Sequence, residues 1–550
     1  MTRALAILVA AAICAGSAGC ETGRAGTPPG VLSVSVEQQS AWIRTFNPLA
    51  PGEARWPTRA GIYEPLLVHN PVAGEWVPWL ATDWSWSDDL RSLTFDIREG
   101  VEWSDGTPMT ARDVAFTFEL LREVPALDQG GVWSFVDDVT VDGSHVTLRT
   151  SRVYVPGLQV VAGVPIVPEH IWSEVDDPLT FTNPNPVATG PFTEVRTFQN
   201  QVYELGRNPN YWQDGRPYVE ALRFLAYPGN DQANMALVEG TVDWAGNFVP
   251  AIDRTFVRRD PDHNKYWFPL VGSTVFLYAN TTRAPFDDVR VRRALSLALN
   301  RERIVEVAMY DYTVPSSPTG LSDSYRSWRL DDDDVEDWTR HDVAEANALL
   351  DAAGLAMGDD GVRRGPDGRP LAFDIDVVSG WSDWVRAAQV IATDLRAVGI
   401  RAQVRPAEFS AWFSDLQRGE FELAVSWSND GPSPYAFYRW LMSPDTVQPV
   451  GEISAGNWHR FADDEAQRLL DAFERTADRD AQGELADDLQ RRFAETMPAI
   501  PLFPNPQWAA YSTRRFEGFP SPDAPYASPS PNALPSALLV LTTLRPRGVE

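Results

Sequence analysis

Residues Val31–Val36 (VLSVSV) alternate apolar and polar positions and read as a strand. Strand-like and helix-like patterns then intermix along the chain. LTFDIREGVEW (93–103) reads as two short strands around a glycine-containing turn. TARDVAFTFELLREV (110–124) repeats its apolar positions at the helical period behind a capping Thr110. DDVRVRRALSLALNRERIVEVAM (287–309) is a second helical pattern with acidic residues at its start, and SDWVRAAQVIATDLRAVGI (382–400) is a third, stopped at Gly399. FELAVSW (421–427) reads as a strand, residues 464–497 as one or two long helices, and ALPSALLVLTTL (533–544) as a buried strand. No short-period repeat is present, so the pattern predicts a mixed α/β protein.

Three loops break this pattern with proline and aromatic residues together: AWIRTFNPLAPGEARWPTR, SNDGPSPYAFYRW and FPSPDAPYASPSPNALP. Proline narrows the conformations of a loop, and aromatic rings in surface loops call for something to contact. GWSDW (380–384) raises the same question. Two tryptophans flank an aspartate between an apolar run and a helical pattern.

The first twenty residues, MTRALAILVAAAICAGSAGC, have a basic start, an apolar stretch too short to span a bilayer, and small residues before Cys20. They read as a secretory signal, 1–20. Ser17-Ala18-Gly19-Cys20 resembles a bacterial lipobox, with serine where leucine is usual, so Cys20 is the expected lipidation site. The other cysteine, Cys14, falls in the segment to be removed, which leaves no internal disulfide and no cysteine metal site. Residues 21–30 follow as a short tether.

With 47 basic against 76 acidic residues the formal charge is −29, which repels nucleic acid, so no nucleic-acid partner is expected. Lys265 is the only lysine and is followed by tyrosine, which rules out a Walker A loop. The six histidines form no HExxH motif, GxSxG is absent, and Asp331–Asp334 lacks the ligand spacing of an EF-hand and reads as a solvated loop. No catalytic constellation stands out, and no metal or other cofactor is expected.

ATDWSWSDDLRSLTFDIREGVEWSDGTPMTARDVAFTFELL (81–121) closely resembles the hallmark segment of family 5 extracytoplasmic solute-binding proteins, the peptide, nickel and oligosaccharide receptors of ABC importers. The matching positions are Phe95, Ile97, Arg98, Gly100 and Val101, then Asp105–Pro108 and Ala111–Val114. IYEPLLVHN resembles the family's early helix, and ATGPFTEVRTFQNQVYELGRNPNYW, FLYANTTRAPFDDVRVRRALSLALNRERIV and AIPLFPNPQWAAYSTRRFEGF resemble later motifs in the right order. The resemblance implies a two-lobed periplasmic-binding-protein-like α/β fold of three domains, with mixed sheets, flanking helices and an interlobe ligand cleft. Domain I would hold 31–75, 187–270 and 503–550, domain II 76–186, and domain III 271–502. The chain would cross between lobes near Tyr266–Val271 and Ile500–Pro504. Trp84, Trp86, Trp103 and Trp212 lie in signature segments and are expected to be structural.

The resemblance implies a monomeric binding protein, not an enzyme, that hands its ligand to the permease of an ABC transporter from the outer face of the membrane. Nickel is disfavoured by the absence of a histidine cluster. The tail, with Trp508, Tyr511, Gly518-Phe519-Pro520 and Ala524–Ala527, looks like the cello-oligosaccharide-binding branch, with Phe519 and Ala524 departing from it. A sugar would use Trp381 and Trp384 as flat platforms and Asp383 as a hydroxyl acceptor. A peptide would use Asp430 as partner for its α-ammonium and Arg386 for a carboxylate. The remaining candidate ligand residues are Trp42, Phe46, Asn47, Trp244, Asn247, Trp427, Tyr435, Asn457, Trp458 and Trp508. Sugar and peptide both stay open from the sequence, as does the bland alternative that these tryptophans fill the core.

Overall fold

The computed structural model describes residues 28–36, 40–51 and 61–548. The signal 1–20, Cys20 and residues 21–27 of the tether lie outside them. Three sheets carry the architecture. A seven-stranded sheet runs in the order Asn264–Tyr266, Ala510–Ser512, Trp244–Ala245, Val31–Ser35, Ala221–Leu225, Val202–Arg207, Phe192–Gln199. Its central strand, Val31–Ser35, is parallel to both neighbours, and all five of its residues are buried, as a strand covered on both faces must be.

A second, antiparallel sheet of four strands (Ala81–Trp86, Ser92–Ile97, His145–Thr150, Val136–Asp142) is packed by the helix Ala111–Glu123. Thr110 caps that helix as expected, and Asp113 completes a reciprocal capping box. The third sheet has five strands in the order Arg401–Ala407, Ala372–Val378, Leu423–Trp427, Thr274–Ala279, Ile500–Pro504. Its first three strands are mutually parallel and its last two antiparallel.

Several local expectations change in three dimensions. The apolar run 533–544 forms a helical turn, Ala537–Leu541, because Pro535 precedes it and its threonines bond back to carbonyls four residues earlier. The IYEPLLVHN stretch holds no helix and ends in the strand Leu67–Asn70. Beyond Gly100 only a single bridge, Glu102 to Pro108, replaces the second strand expected there. The 287–309 pattern is two helices, Val289–Ala298 and Arg301–Met309, the second capped by the Asn300 side chain. The long C-terminal pattern is likewise two, Asp464–Phe473 and Arg479–Thr496.

The chain passes from the seven-stranded to the five-stranded sheet through residues 267–273. It returns through 505–509, just beyond the Ile500–Pro504 strand where the crossing was expected. The two passages run side by side. Asn505 N–H donates to Ser273 O (2.7 Å), Gln507 N–H to Pro269 O (2.9 Å), and Trp267 N–H to Ala509 O (3.1 Å). Paired linkers of this kind leave a bending motion open while resisting shear.

Glu64 gathers Trp212, one of the signature tryptophans, with Trp79 and Tyr211 beside the second sheet. Its carboxylate is fully buried and accepts from Trp79 Nε1 (2.7 Å), Tyr211 OH (3.0 Å) and Trp212 Nε1 (3.1 Å). Arg98 lies over the Trp212 ring and donates to Trp79 O. Trp103 is also fully buried. Burial pushes the Glu64 carboxyl up to about 7, while its hydrogen-bond donors pull the other way. A carboxyl raised in the folded state binds its proton more tightly there, so its contribution to stability is present below the unfolded pKa and lost as pH rises through about 7. Glu64→Gln removes the titration. The stability of the variant relative to wild type is expected to rise by roughly 3 kcal/mol between pH 4.5 and pH 8. Denaturant melts across that range would check this, and a pH-independent difference would contradict it.

Candidate functional site

In open α/β sheets, ligands sit beyond the carboxyl ends of parallel strands. Both large sheets here point those ends at one cleft. In the five-stranded sheet, Ala372–Val378 runs into Gly380–Trp384, Arg401–Ala407 into Phe409, and Leu423–Trp427 ends on its own tryptophan. Parallel register therefore gathers Trp381, Phe409 and Trp427 at one edge, with ring centroids 5.7–6.5 Å apart. Trp384 meets Trp381 edge-on at 4.7 Å, and Trp412, Phe413 and Trp458 back the cluster. In the seven-stranded sheet, Ala221–Leu225 runs into Pro228–Asn230 and Trp244–Ala245 into Gly246–Phe248.

A cavity of 180 Å³ lies between these ends. Its aromatic walls are Phe248, Trp381, Trp384 and Trp508. Its polar walls are five amide side chains (Asn230, Asn247, Asn505, Gln507, Asn532), Ser530 and one carboxylate, Asp383. No arginine or lysine is among its described walls. Gly246 is required here, since a Cβ would stand 2.6 Å from Asn532 Nδ2, which donates to Gly246 O.

Of the sequence-derived candidates, the structure brings Asn247, Trp381, Asp383, Trp384 and Trp508 together on this cavity. Trp427 stands behind them in the aromatic cluster. Trp381 stays half-buried with a face toward the cavity, while Trp384 is 3% exposed, so one ring is wall and the other mostly core. Asp383 is 3% exposed and accepts from Asn230 Nδ2 at 3.1 Å. Burial raises its carboxyl to about 6, against the pull of the first-turn N–H groups of its own helix and of Asn230.

The other candidates lie elsewhere. Trp42 and Phe46 pack edge-on to Tyr203 in the core of the first lobe. Both Asn47 side-chain atoms are consumed locally, by the carbonyls of Pro178 and Phe181 and the N–H groups of Leu49 and Ala50. Trp244 is buried against Phe519 and donates to Pro529 O. Asn457 and Trp458 are buried, with their amide and indole N–H groups on backbone carbonyls. Tyr435 donates to Glu474 and lines a separate groove of 610 Å³ that includes Tyr154, Gln159 and Trp440. Asp430 is solvent-exposed on the loop after Trp427, outside the cavity walls. Desolvation by the surrounding protein still raises its carboxyl, against the pull of its own backbone N–H. Arg386 lies over the Tyr310 ring and is not a cavity wall.

Asn230, Phe248, Asn505, Gln507, Ser530 and Asn532 were not singled out from sequence. The position of Asn230, after a strand and Pro-Gly and before a helical run, and that of Asn532 inside the proline-rich tail loop were the available signals.

Two sheets joined by paired linkers, with strand ends facing across a walled cleft, define a two-lobed solute receptor. Residues 75–448 match the bacterial extracellular solute-binding proteins, family 5, and the chain belongs to that family. It is similar to the nickel-binding periplasmic protein of Escherichia coli (25% identical, 74% of this chain and 78% of that protein). It is also similar to the periplasmic oligopeptide-binding protein of Salmonella typhimurium (23% identical, covering 80% and 81%). A mannohexaose-bound periplasmic oligopeptide-binding protein of Thermotoga maritima superposes with a TM-score of 0.86, at 25% identity over 95% of this chain and 100% of that one. The protein is therefore the substrate-binding component of an ABC importer, a transport protein rather than an enzyme. No described helix is long and apolar enough to cross a membrane.

Burial separates the paired tryptophans energetically. Trp384→Ala is expected to lose about 3–5 kcal/mol of folding stability and half-buried Trp381→Ala markedly less, measured by urea melts of the two variants. Equal losses would place both rings in the core.

Proposed function

We propose that the cleft captures an oligosaccharide of β-gluco or cello type and that the protein delivers it to its permease as a monomer. The composition of the walls supports this reading. Aromatic faces give a pyranose ring an apolar seat, and neutral amides both donate to and accept from hydroxyls. A peptide terminus calls for a full opposite charge, and the walls offer no cation and one carboxylate already bonded to Asn230. The sugar bound by the Thermotoga maritima protein supports the same class.

Peptide capture is the second reading. It is supported by exposed Asp430 on the loop after Trp427 and by relatives named as oligopeptide- and dipeptide-binding proteins. Three domains with the boundaries given above are part of the proposal, as is anchoring through lipid on Cys20 after removal of residues 1–19.

A thermal-shift panel of cello-, xylo-, laminari- and manno-oligosaccharides beside di- to pentapeptides tests the ligand class. A sugar at about 100 times its Kd is expected to add about 2.7 kcal/mol of stability, with peptides silent. A shift with peptides alone would overturn the sugar reading. For the anchor, Cys20→Ser is expected to move the protein from the membrane pellet to the soluble fraction and to abolish palmitate labelling. Unchanged labelling would contradict it.

A further inference from the structure

Among the described residues three sets of contacts join the lobes: beside the Tyr435 groove, Val155 N–H donates to Glu474 O (2.9 Å) and Arg152 pairs with the Glu474 carboxylate, and the other two flank the cavity. Near the linkers, Tyr312 of the second lobe accepts from Ile252 N–H (2.8 Å) through its hydroxyl and packs with Phe268 and Trp508, while Phe248 meets Tyr310. At the opposite side the two backbones touch directly. Asn230 N–H donates to Gly380 O at 3.1 Å. Its side-chain amide donates to Asp383 Oδ1 at 3.1 Å and to Ser382 Oγ at 3.4 Å. Asn230 is 2% exposed and Asp383 3%.

The approach is close enough to require glycine on the second lobe. A Cβ on Gly380 would stand 2.6 Å from Pro228 O, and one on Gly229 would stand 3.3 Å from Gly380 O. The helices Asn230–Val238 and Ser382–Ala397 both start here, so the Asp383 carboxylate faces N–H groups of its own helix and the first residue of the other.

We propose that Gly229–Asn230 and Gly380–Asp383 form an interlobe latch, and that Asn230 is a positioning residue that sets affinity through closure rather than through ligand contact. These bonds join protein to protein. They favour the closed arrangement by the same amount whatever the cleft holds, and closure multiplies every ligand's affinity by the same factor. The cavity walls set the ratio between ligands, and the latch sets the common scale. The latch operates equally for sugar and peptide, so it stands apart from the choice of ligand class.

The test uses the mature chain with Asn230→Ala and, as a near-isosteric variant that sets two carboxylates against each other, Asn230→Asp. Kd values are measured by calorimetry for at least two chemically different probes that shift the wild-type melt. Small-angle scattering without added ligand reports lobe separation. Both variants are expected to weaken every probe by one shared factor, about tenfold or more, with a larger radius of gyration. Gly380→Val, which breaks the backbone contact while leaving the Asn230 side chain in place, is expected to do the same. A change in the ratio between probes would make Asn230 a ligand contact. Unchanged affinities and scattering would remove the latch. If no probe binds the wild-type protein, the ligand-class reading fails, and the scattering comparison still decides the latch.

Discussion

The two linkers at 267–273 and 505–509 bond to each other, and that pairing fixes how everything else can meet. It holds the seven-stranded and five-stranded sheets with the carboxyl ends of their parallel strands across one gap. Loops after those ends must then face each other, and residues separated by hundreds of positions become neighbours. Asn230 reaches Asp383 of the other lobe across 153 residues of sequence, while within the first lobe Asn532 reaches Gly246 across 286. The walls of the cavity follow from strand direction as much as from any local motif.

Within that frame the tryptophans divide by depth. The strand ends gather Trp381, Trp427 and Phe409, and the layers behind, Trp412 and Trp458, are almost wholly buried. A deep aromatic base holds Trp381 in place, and a platform whose orientation is fixed in advance binds a ring with little ordering cost. The neutral amides opposite complete a surface suited to uncharged, hydroxyl-rich ligands. Asp383 lies on the cavity wall and is also engaged across the lobes through Asn230.

Much of the fold was legible in the sequence. Thr110 and Gly399 mark helix boundaries through capping chemistry that needs no tertiary context, and the DGTP segment carries its own turn, whereas the Asn300 cap that splits 287–309 was not read. Legibility failed where tertiary contacts decide. The run 533–544 is apolar without a distinguishing period, and Pro535 with threonine back-bonding turned it helical. Trp42, Trp244 and Trp458 could not be told from Trp381 by type or spacing, because burial on one side of a sheet is invisible to a single chain segment. Asn230 went unnoticed since its role exists only when a second lobe is present.

The central claim is that a sugar ring lies in the cavity between Trp381 and the amide wall while Asp383 stays bonded to Asn230. A crystal structure of the protein grown with the oligosaccharide that gives the largest thermal shift addresses it most directly. The expected result is a pyranose ring stacked on Trp381, hydroxyls on Asn247, Asn505 or Gln507, and the Asn230–Asp383 bond intact. A ligand seated in the groove beside Tyr435, or a peptide ammonium paired with Asp383 or Asp430, would contradict it.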